Sequence, residues 1–256
     1  MLEINGFCAD SALVKAVHPS PNRGARRSPA PDAIILHYTG MASAEAALLR
    51  LCDPAAEVSC HYLILEDGGI CQLVAEDERA WHAGRSFWAG ETDMNSASIG
   101  IELANGGPDF GSPPFAEAQI AATIALAHDI IARRRIAPQR ILAHSDVAPL
   151  RKADPGEAFP WARLAMAGIG HYIEPAPLGS DAPLQRGSTG GQIEELQRML
   201  ARYGYEIGVT GLYDETTEAV VSAFQRHFRP ARVDGKADQS TRATLDALVR
   251  SLPARP

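Results

Sequence analysis

The stretch DAIILHYTG, Asp32 to Gly40, holds a short apolar, β-branched run that ends in a histidine and a turn-like Tyr38-Thr39-Gly40. A run this short and this apolar reads as a buried strand, which places His37 at a strand end, opening into a loop. Outward from it the same kind of segment recurs. YLILEDGGICQLV (Tyr62–Val74) reads as a hairpin, two apolar runs around an Asp67-Gly68-Gly69 turn. SIGIELAN (Ser98–Asn105) and RILAHSDV (Arg140–Val147) read as further strands. Between these two, Phe115–Arg135 carries Ile120, Ile124, Ala127 and Ile131 at helical spacing, with arginines at its C-terminal end, where the helix dipole favours them. Strands interleaved with helices predict an α/β domain with a mixed central sheet flanked by helices.

This pattern stops at EPAPLGSDAPLQRGSTGG (Glu174–Gly191), rich in proline, glycine and serine and without apolar period, the make-up of a linker. Three helix-period segments follow, lined by Ile193, Leu196 and Leu200, by Val220, Phe224 and Phe228, and by Leu245, Leu248 and Val249. The last two share a lead-in. TGLYDETTEAV aligns with DGKADQSTRATL at an offset of 24, matching Gly211 with Gly235, Asp214 with Asp238 and Thr217 with Thr241. In each, a glycine supplies a turn and an aspartate stands where an N-cap belongs. The expected organisation is a domain at 1–173, a linker at 174–190 and a small three-helix domain at 191–256, either a coincidence of similar helix starts or a repeat-built binding module.

Composition narrows the function classes. The chain has 256 residues, 46% hydrophobic and 21% charged, with a formal net charge of −7. Residues 1–180 carry 14 basic and 21 acidic side chains, and 181–256 carry 10 of each. A net-negative main body gives no electrostatic reason to expect nucleic acid as a partner. No run approaches the ~18–20 apolar residues of a membrane span. The N-terminus, MLEINGFCADSALVKAV, shows no basic region followed by an apolar one, so the chain as written reads as cytoplasmic, with the periplasm or cell envelope as the alternative if a leader was removed. Cys8, Cys52, Cys60 and Cys71 have no pairing pattern and read as reduced thiols.

The chemistry concentrates in LAHSDVAPLRKADPGEAFPW (Leu142–Trp161). His144 ends the RILAH run as His37 ends AIILH, so both imidazoles stand at strand ends on one sheet. Asp154 sits in an Asp-Pro-Gly turn that could fold its carboxylate back toward His144, or could simply shape the loop. A hydrolytic zinc site takes three protein ligands from such residues and leaves one position for water. Glu102, between Ile101 and Leu103, either turns to solvent or is an inward charge, which is costly unless used. Cys60 and His61 are adjacent in a strand and point to opposite faces, so they cannot form a nucleophile–base pair.

LHYTG at 36–40, WHAG at 81–84, IGIELAN at 99–105 and HSDVAPLRKADPG at 144–156 together resemble the zinc-dependent N-acetylmuramoyl-L-alanine amidases of type 2, whose fold is shared with peptidoglycan recognition proteins. The resemblance covers Ser20 to Trp161, and the second domain resembles the three-helix peptidoglycan-binding module attached to cell-wall hydrolases, with Tyr203, Tyr205, Tyr213, Phe224 and Phe228 as its aromatics. It implies one Zn2+ per chain held by His37, His144 and Asp154, with Glu102 as the catalytic carboxylate and Lys152 as the oxyanion-stabilising cation. It implies further that Tyr38, Trp81, His82 and Asn105 line the substrate groove; His61 matches a family position near the site but reads as structural. His18, His128, His171 and His227 carry no motif and read as structural or surface residues, and Asp146 and Arg151 as loop-shaping or surface ones. The implied partners are peptidoglycan fragments or anhydro-muropeptides, with polymeric peptidoglycan reached through the second domain. A non-catalytic receptor on the same fold is the rival reading, but such receptors lack a zinc ligand and all three are present here. A different zinc hydrolase would leave the second domain unexplained.

Overall fold

The computed structural model describes residues 3–4 and 7–253. At its centre, Ala16–Val17 (β1), Ala33–Tyr38 (β2), Tyr62–Ile64 (β3), Ile70–Gln72 (β4), Ser98–Leu103 (β5) and Ile141–Ala143 (β6) form one sheet in the order β6-β2-β5-β3-β4-β1. Within it only β3 and β4 pair antiparallel, as the hairpin. Its turn is made as the residues foretell: Asp67 Oδ1 accepts the Gly69 N–H at 2.8 Å and the Leu65 N–H reaches the Gly69 carbonyl at 2.8 Å.

Period-two alternation sends the strand side chains to two different cores. Ile34, Leu36, Ile99, Ile101 and Leu103 pack with Ile120, Leu126 and Ile130 of the helix Glu117–Arg134. Ala33, Ile35 and Leu142 face the other way, into a cluster that contains Trp88 and the apolar stripes of the three C-terminal helices, Gly191–Tyr203, Glu215–Phe228 and Gln239–Ser251. Those helices therefore cover part of the sheet as a second layer. Trp88 anchors the contact, with its indole 4.9 Å from the Tyr205 ring and 5.9 Å from that of Tyr203. Gly204 lies flat against the indole at a φ of +145°, where a Cβ would come within 2.6 Å of it.

The offset-24 likeness between the last two helix starts is a structural repeat, and each copy is held by a glutamine on the preceding helix. Gln197 accepts the N–H groups of Thr210 and Gly211 and donates to the Leu212 carbonyl and Thr217 Oγ1, at 2.8 to 3.0 Å. Gln225 does the same one unit on, accepting from Asp234 and Gly235 at 3.0 and 2.9 Å and donating to the Lys236 carbonyl and Thr241 Oγ1 at 2.8 and 3.2 Å. Asp214 and Asp238 cap the helices that follow, each accepting the N–H and the hydroxyl of the threonine three residues on. The segment 174–190 carries no helix but is bound along this unit, through Ala176 to Thr244 Oγ1 at 3.0 Å and through paired backbone bonds between Leu184 and Ala237.

One expected strand is shorter than its sequence pattern implies. RILAHSDV is extended only over Ile141–Ala143, and His144–Val147 form a helical turn. Asp146 is the cause: its Oδ2 accepts the Ala143 N–H at 2.8 Å and closes the turn, so His144 opens a helix rather than ending a strand. Because Gln225 is fully buried and serves four groups, Gln225→Ala is expected to lower unfolding stability by about 2–4 kcal/mol. Glu195→Ala, on the exposed face of the preceding helix, is expected to change it by less than about 0.5 kcal/mol in the same denaturant titration.

Candidate metal and active site

His37 is the penultimate residue of β2 and pairs in register with Glu102 on β5, so the two side chains leave the sheet side by side. His144 stands one strand over, at the first position of its helical turn. Asp154 comes from the loop beyond, whose backbone is tied back by a 3.0 Å bond from the Ser145 N–H to the Asp154 carbonyl. The result is a triangle of ligand atoms. His37 Nδ1, His144 Nδ1 and Asp154 Oδ2 lie 3.0 Å from one another on every side, and all three residues are buried.

Hydrogen bonds alone do not satisfy this triangle. If both imidazoles donated to the carboxylate, their two N–H groups would face each other across 3.0 Å. The bonds on the far side of each ring show which nitrogens carry the protons. His144 Nε2–H donates to the Ala83 carbonyl at 3.2 Å, which leaves Nδ1 as a free lone pair. Behind His37 a relay does the same work. Ser98 gives its hydroxyl proton to the Met94 carbonyl at 2.5 Å and receives His82 Nε2–H at 3.4 Å. His82 Nδ1 is thereby an acceptor, and it takes His37 Nε2–H at 3.1 Å. Both ligand-side nitrogens are then lone pairs aimed at one point, beside a carboxylate.

The electrostatics agree. Burial, and then the neighbouring His144, push His37 down to about 4, so its imidazole is neutral near pH 7. Burial, followed by the surrounding histidines, also holds His82 well below its ordinary value. Burial raises Asp154, but positive charge and donated protons at the His144 and His37 positions beside it would outweigh that and hold the carboxyl well below the usual range, a role that a cation in the triangle can take over from protonated rings. With the tautomers that the outer hydrogen bonds set, two imidazole lone pairs and a carboxylate oxygen form a donor set suited to a divalent cation.

The triangle opens into a cavity of about 470 Å³ lined by Tyr38, Trp81, His82, Glu102, His144, Lys152 and Asp154, among others. Glu102 Oε2 is buried at its end with no hydrogen-bond partner. Burial, then the negative charge of Asp154, raise Glu102 to about 8, against a downward pull from Lys152. Lys152 itself is exposed at the cavity wall.

Of the expected groove residues, Tyr38 and Trp81 face this cavity. His82 also lines it, but as a residue only 9% exposed whose ring is committed to His37. Asn105 does not line it; its side chain accepts the Gly107 N–H at 2.9 Å and donates to the Pro113 carbonyl at 2.9 Å, shaping the loop after β5. His61 is buried and structural, accepting the Gly100 N–H at 2.9 Å. Arg151 reaches the carbonyls of Ala83 and Arg85 and so ties the WHAG segment to the loop of Asp154. Asp146 shapes its turn as expected but is not a surface residue: it is 0% exposed and also bonds Tyr205 and His227 of the C-terminal helices. Ser98, and Asn95, whose Oδ1 accepts the N–H groups of His82 and Ala83 at 2.9 and 2.7 Å, went unnoticed in the sequence. So did the need for Gly100, where any Cβ would overlap the His82 ring.

A family model described as N-acetylmuramoyl-L-alanine amidase matches residues 26–157, a span that contains the whole triangle, Glu102 and Lys152. The chain belongs to the N-acetylmuramoyl-L-alanine amidase family. A peptidoglycan binding domain model matches residues 189–245. Over 228 residues the amidase is 40% identical to the N-acetylmuramoyl-L-alanine amidase AmiD of Escherichia coli, covering 84% of this chain and 81% of that one. It is 35% identical to the 1,6-anhydro-N-acetylmuramyl-L-alanine amidase AmpD of Enterobacter cloacae, covering 64% of this chain and 93% of that one. Among solved structures, the E. coli AmiD complex with anhydro-N-acetylmuramic acid-L-Ala-D-gamma-Glu-L-Lys superposes with a TM-score of 0.74 at 40% identity, over 89% of this chain and 92% of that one. Among the described residues, no helix is long and apolar enough to cross a membrane.

The relay behind His37 yields a test within this site. Gly100→Ala displaces the His82 ring, and loss of such an outer hydrogen bond typically costs about 10–100-fold in metal affinity. The variant is expected to keep its circular dichroism spectrum and to bind metal at least about tenfold more weakly in competition with a chromophoric chelator. Unchanged affinity would remove His82 from the positioning of His37.

Proposed function

We propose that this amidase hydrolyses the bond between the lactyl group of N-acetylmuramic acid, or its anhydro form, and L-alanine of the stem peptide, using one zinc ion held by His37, His144 and Asp154. The donor atoms fit that ion. Four-coordinate zinc with N and O ligands at 2.0–2.1 Å has ligand–ligand edges of about 3.3 Å, close to the 3.0 Å sides of the triangle. When bound, zinc supplies Lewis acidity, lowering the pKa of water to about 7 and polarising a carbonyl. Support for an anhydro-muropeptide substrate comes from the AmiD complex and from the name of the AmpD relative. We read residues 1–173 as the catalytic unit and 191–256 as the unit that engages peptidoglycan, joined by 174–190, in cell-wall turnover or recycling.

The observation that carries the reading is the partnerless Oε2 of Glu102, buried in the cavity beside the triangle. A buried carboxylate oxygen with no donor is costly to keep unless it has a proton to move. Glu102 takes a proton from the attacking water as the water oxygen bonds to the carbonyl carbon. It then gives that proton to the departing nitrogen of alanine as the C–N bond breaks. Lys152, on the same wall, places its ammonium where negative charge grows on the carbonyl oxygen. Glu102, raised to about 8 in the metal-free site, would be drawn down by a divalent cation held beside it, so it would serve as an ionised base when the site is filled.

Glu102→Gln tests this reading. The variant is expected to retain one zinc per chain and to lose about 10²–10⁴-fold in release of stem peptide from an anhydro-muropeptide. Turnover near the parental rate with zinc bound would overturn the assignment. The same substitution has a pH signature in the metal-free protein. With its pKa raised in the fold, Glu102 binds more protons folded than unfolded between about 4.5 and about 8. It therefore draws stability down as pH rises through that window. Metal-free Glu102→Gln should accordingly gain in melting temperature over metal-free parent toward pH 8, with the difference closing below about 4.5.

A further inference from the structure

The C-terminal helices make one contact that the binding-module reading leaves unused. The Asp146 carboxylate, on the turn that His144 opens, is wholly buried and accepts three hydrogen bonds. One is local, the Ala143 N–H to Oδ2 at 2.8 Å. The other two come from the second domain: Tyr205 donates its hydroxyl to Oδ1 at 2.7 Å, and His227 Nδ1–H donates to Oδ2 at 2.7 Å. Both donors are themselves fixed. The Tyr205 ring packs edge-on against Trp88 at 4.9 Å, and the His227 ring stacks on Trp161 at 3.7 Å and against Phe228 at 3.8 Å.

We infer that Tyr205 and His227 are positioning residues for the metal site, holding His144 in place through Asp146, so that the second domain completes the catalytic centre. This rests on the reading of His37, His144 and Asp154 as a zinc site. A buried carboxylate tolerates desolvation only while its oxygens are paired. Without the two donors from the second domain, Asp146 keeps a single bond and must turn toward water. That motion unwinds His144–Val147, because the same Oδ2 closes its first turn. His144 lies two residues away, and the Ser145 N–H holds the Asp154 loop, so two of the three ligands move with this turn. The geometry thereby couples the state of the second domain to the affinity of the metal site.

The test uses the full chain and reads zinc dissociation constants by chelator competition. Tyr205→Phe keeps the ring and removes only the donor; it is expected to weaken zinc binding about tenfold. His227→Leu is expected to do the same, and His227→Asn, whose amide can donate from near the Nδ1 position, is expected to restore most of the affinity. Tyr203→Phe is the control: it is also buried and interfacial, but its hydroxyl meets His171 at 3.0 Å and makes no bond to Asp146. Zinc affinity within twofold of parent in Tyr205→Phe would overturn the inference, even if the melting temperature falls. An equal loss in Tyr203→Phe would overturn it too, by showing a general effect of loosening the interface. Tyr205→Phe decides the matter alone if His227→Leu does not fold. A parent that binds no zinc would instead refute the metal reading on which the inference stands.

Discussion

Two imidazole lone pairs and a carboxylate oxygen meet within 3.0 Å of one another in a buried pocket, and the surrounding architecture serves to keep them there. Three acceptors so close repel unless a cation or a shared proton lies between them. The rings cannot escape by turning over, because each is tethered from behind, His144 by the Ala83 carbonyl and His37 by His82. The adjacent parallel strands give the site its second constraint. Their register sets Glu102 beside His37, so the carboxylate with no partner stands next to the ligands. A shift of one residue would have sent it to the opposite face, among Ile99, Ile101 and Leu103.

The two faces of the sheet divide the labour. The helix Glu117–Arg134 closes one face with an ordinary apolar core, which supports the strands and contributes no ligand. The other face carries Ala33, Ile35 and His37 in alternation, buried under Trp88 and the C-terminal helices at one end and open to the cavity at the other. A binding module joined by a proline-rich segment would be expected to hang free. Here it shares a core with the catalytic unit and supplies two hydrogen bonds to the carboxylate that shapes the His144 turn.

Much of this was legible in the residues themselves. His37, Glu102, His144 and Asp154 each have an ordinary structural reading when taken singly, and it is the resemblance of their four motifs, in order, to the type 2 amidases that implies their roles. The hairpin, the long helix and the three C-terminal helices follow from spacing that local physics enforces. What stayed hidden is what depends on partners distant in the chain. Asp146 looks like any loop aspartate, since nothing nearby foretells Tyr205 and His227, 59 and 81 residues on. His82 shares a motif with Trp81 and lines the cavity with it, but its bond to His37 and the room that Gly100 leaves for its ring are not legible in that motif. Asn105 closes the IELAN motif, but its amide is bonded within the loop after β5, to the Gly107 N–H and the Pro113 carbonyl, which the motif alone does not foretell.

The central claim is that these converging lone pairs hold a catalytic zinc ion. It is tested most directly by measuring zinc content together with release of stem peptide from an anhydro-muropeptide, before chelation, after it, and after zinc is returned. The account predicts one zinc per chain, activity that disappears with the metal and returns with it, and no zinc retained once Asp154 is replaced by alanine. Full peptide release from protein stripped of metal, or a zinc content that Asp154→Ala leaves unchanged, would contradict it.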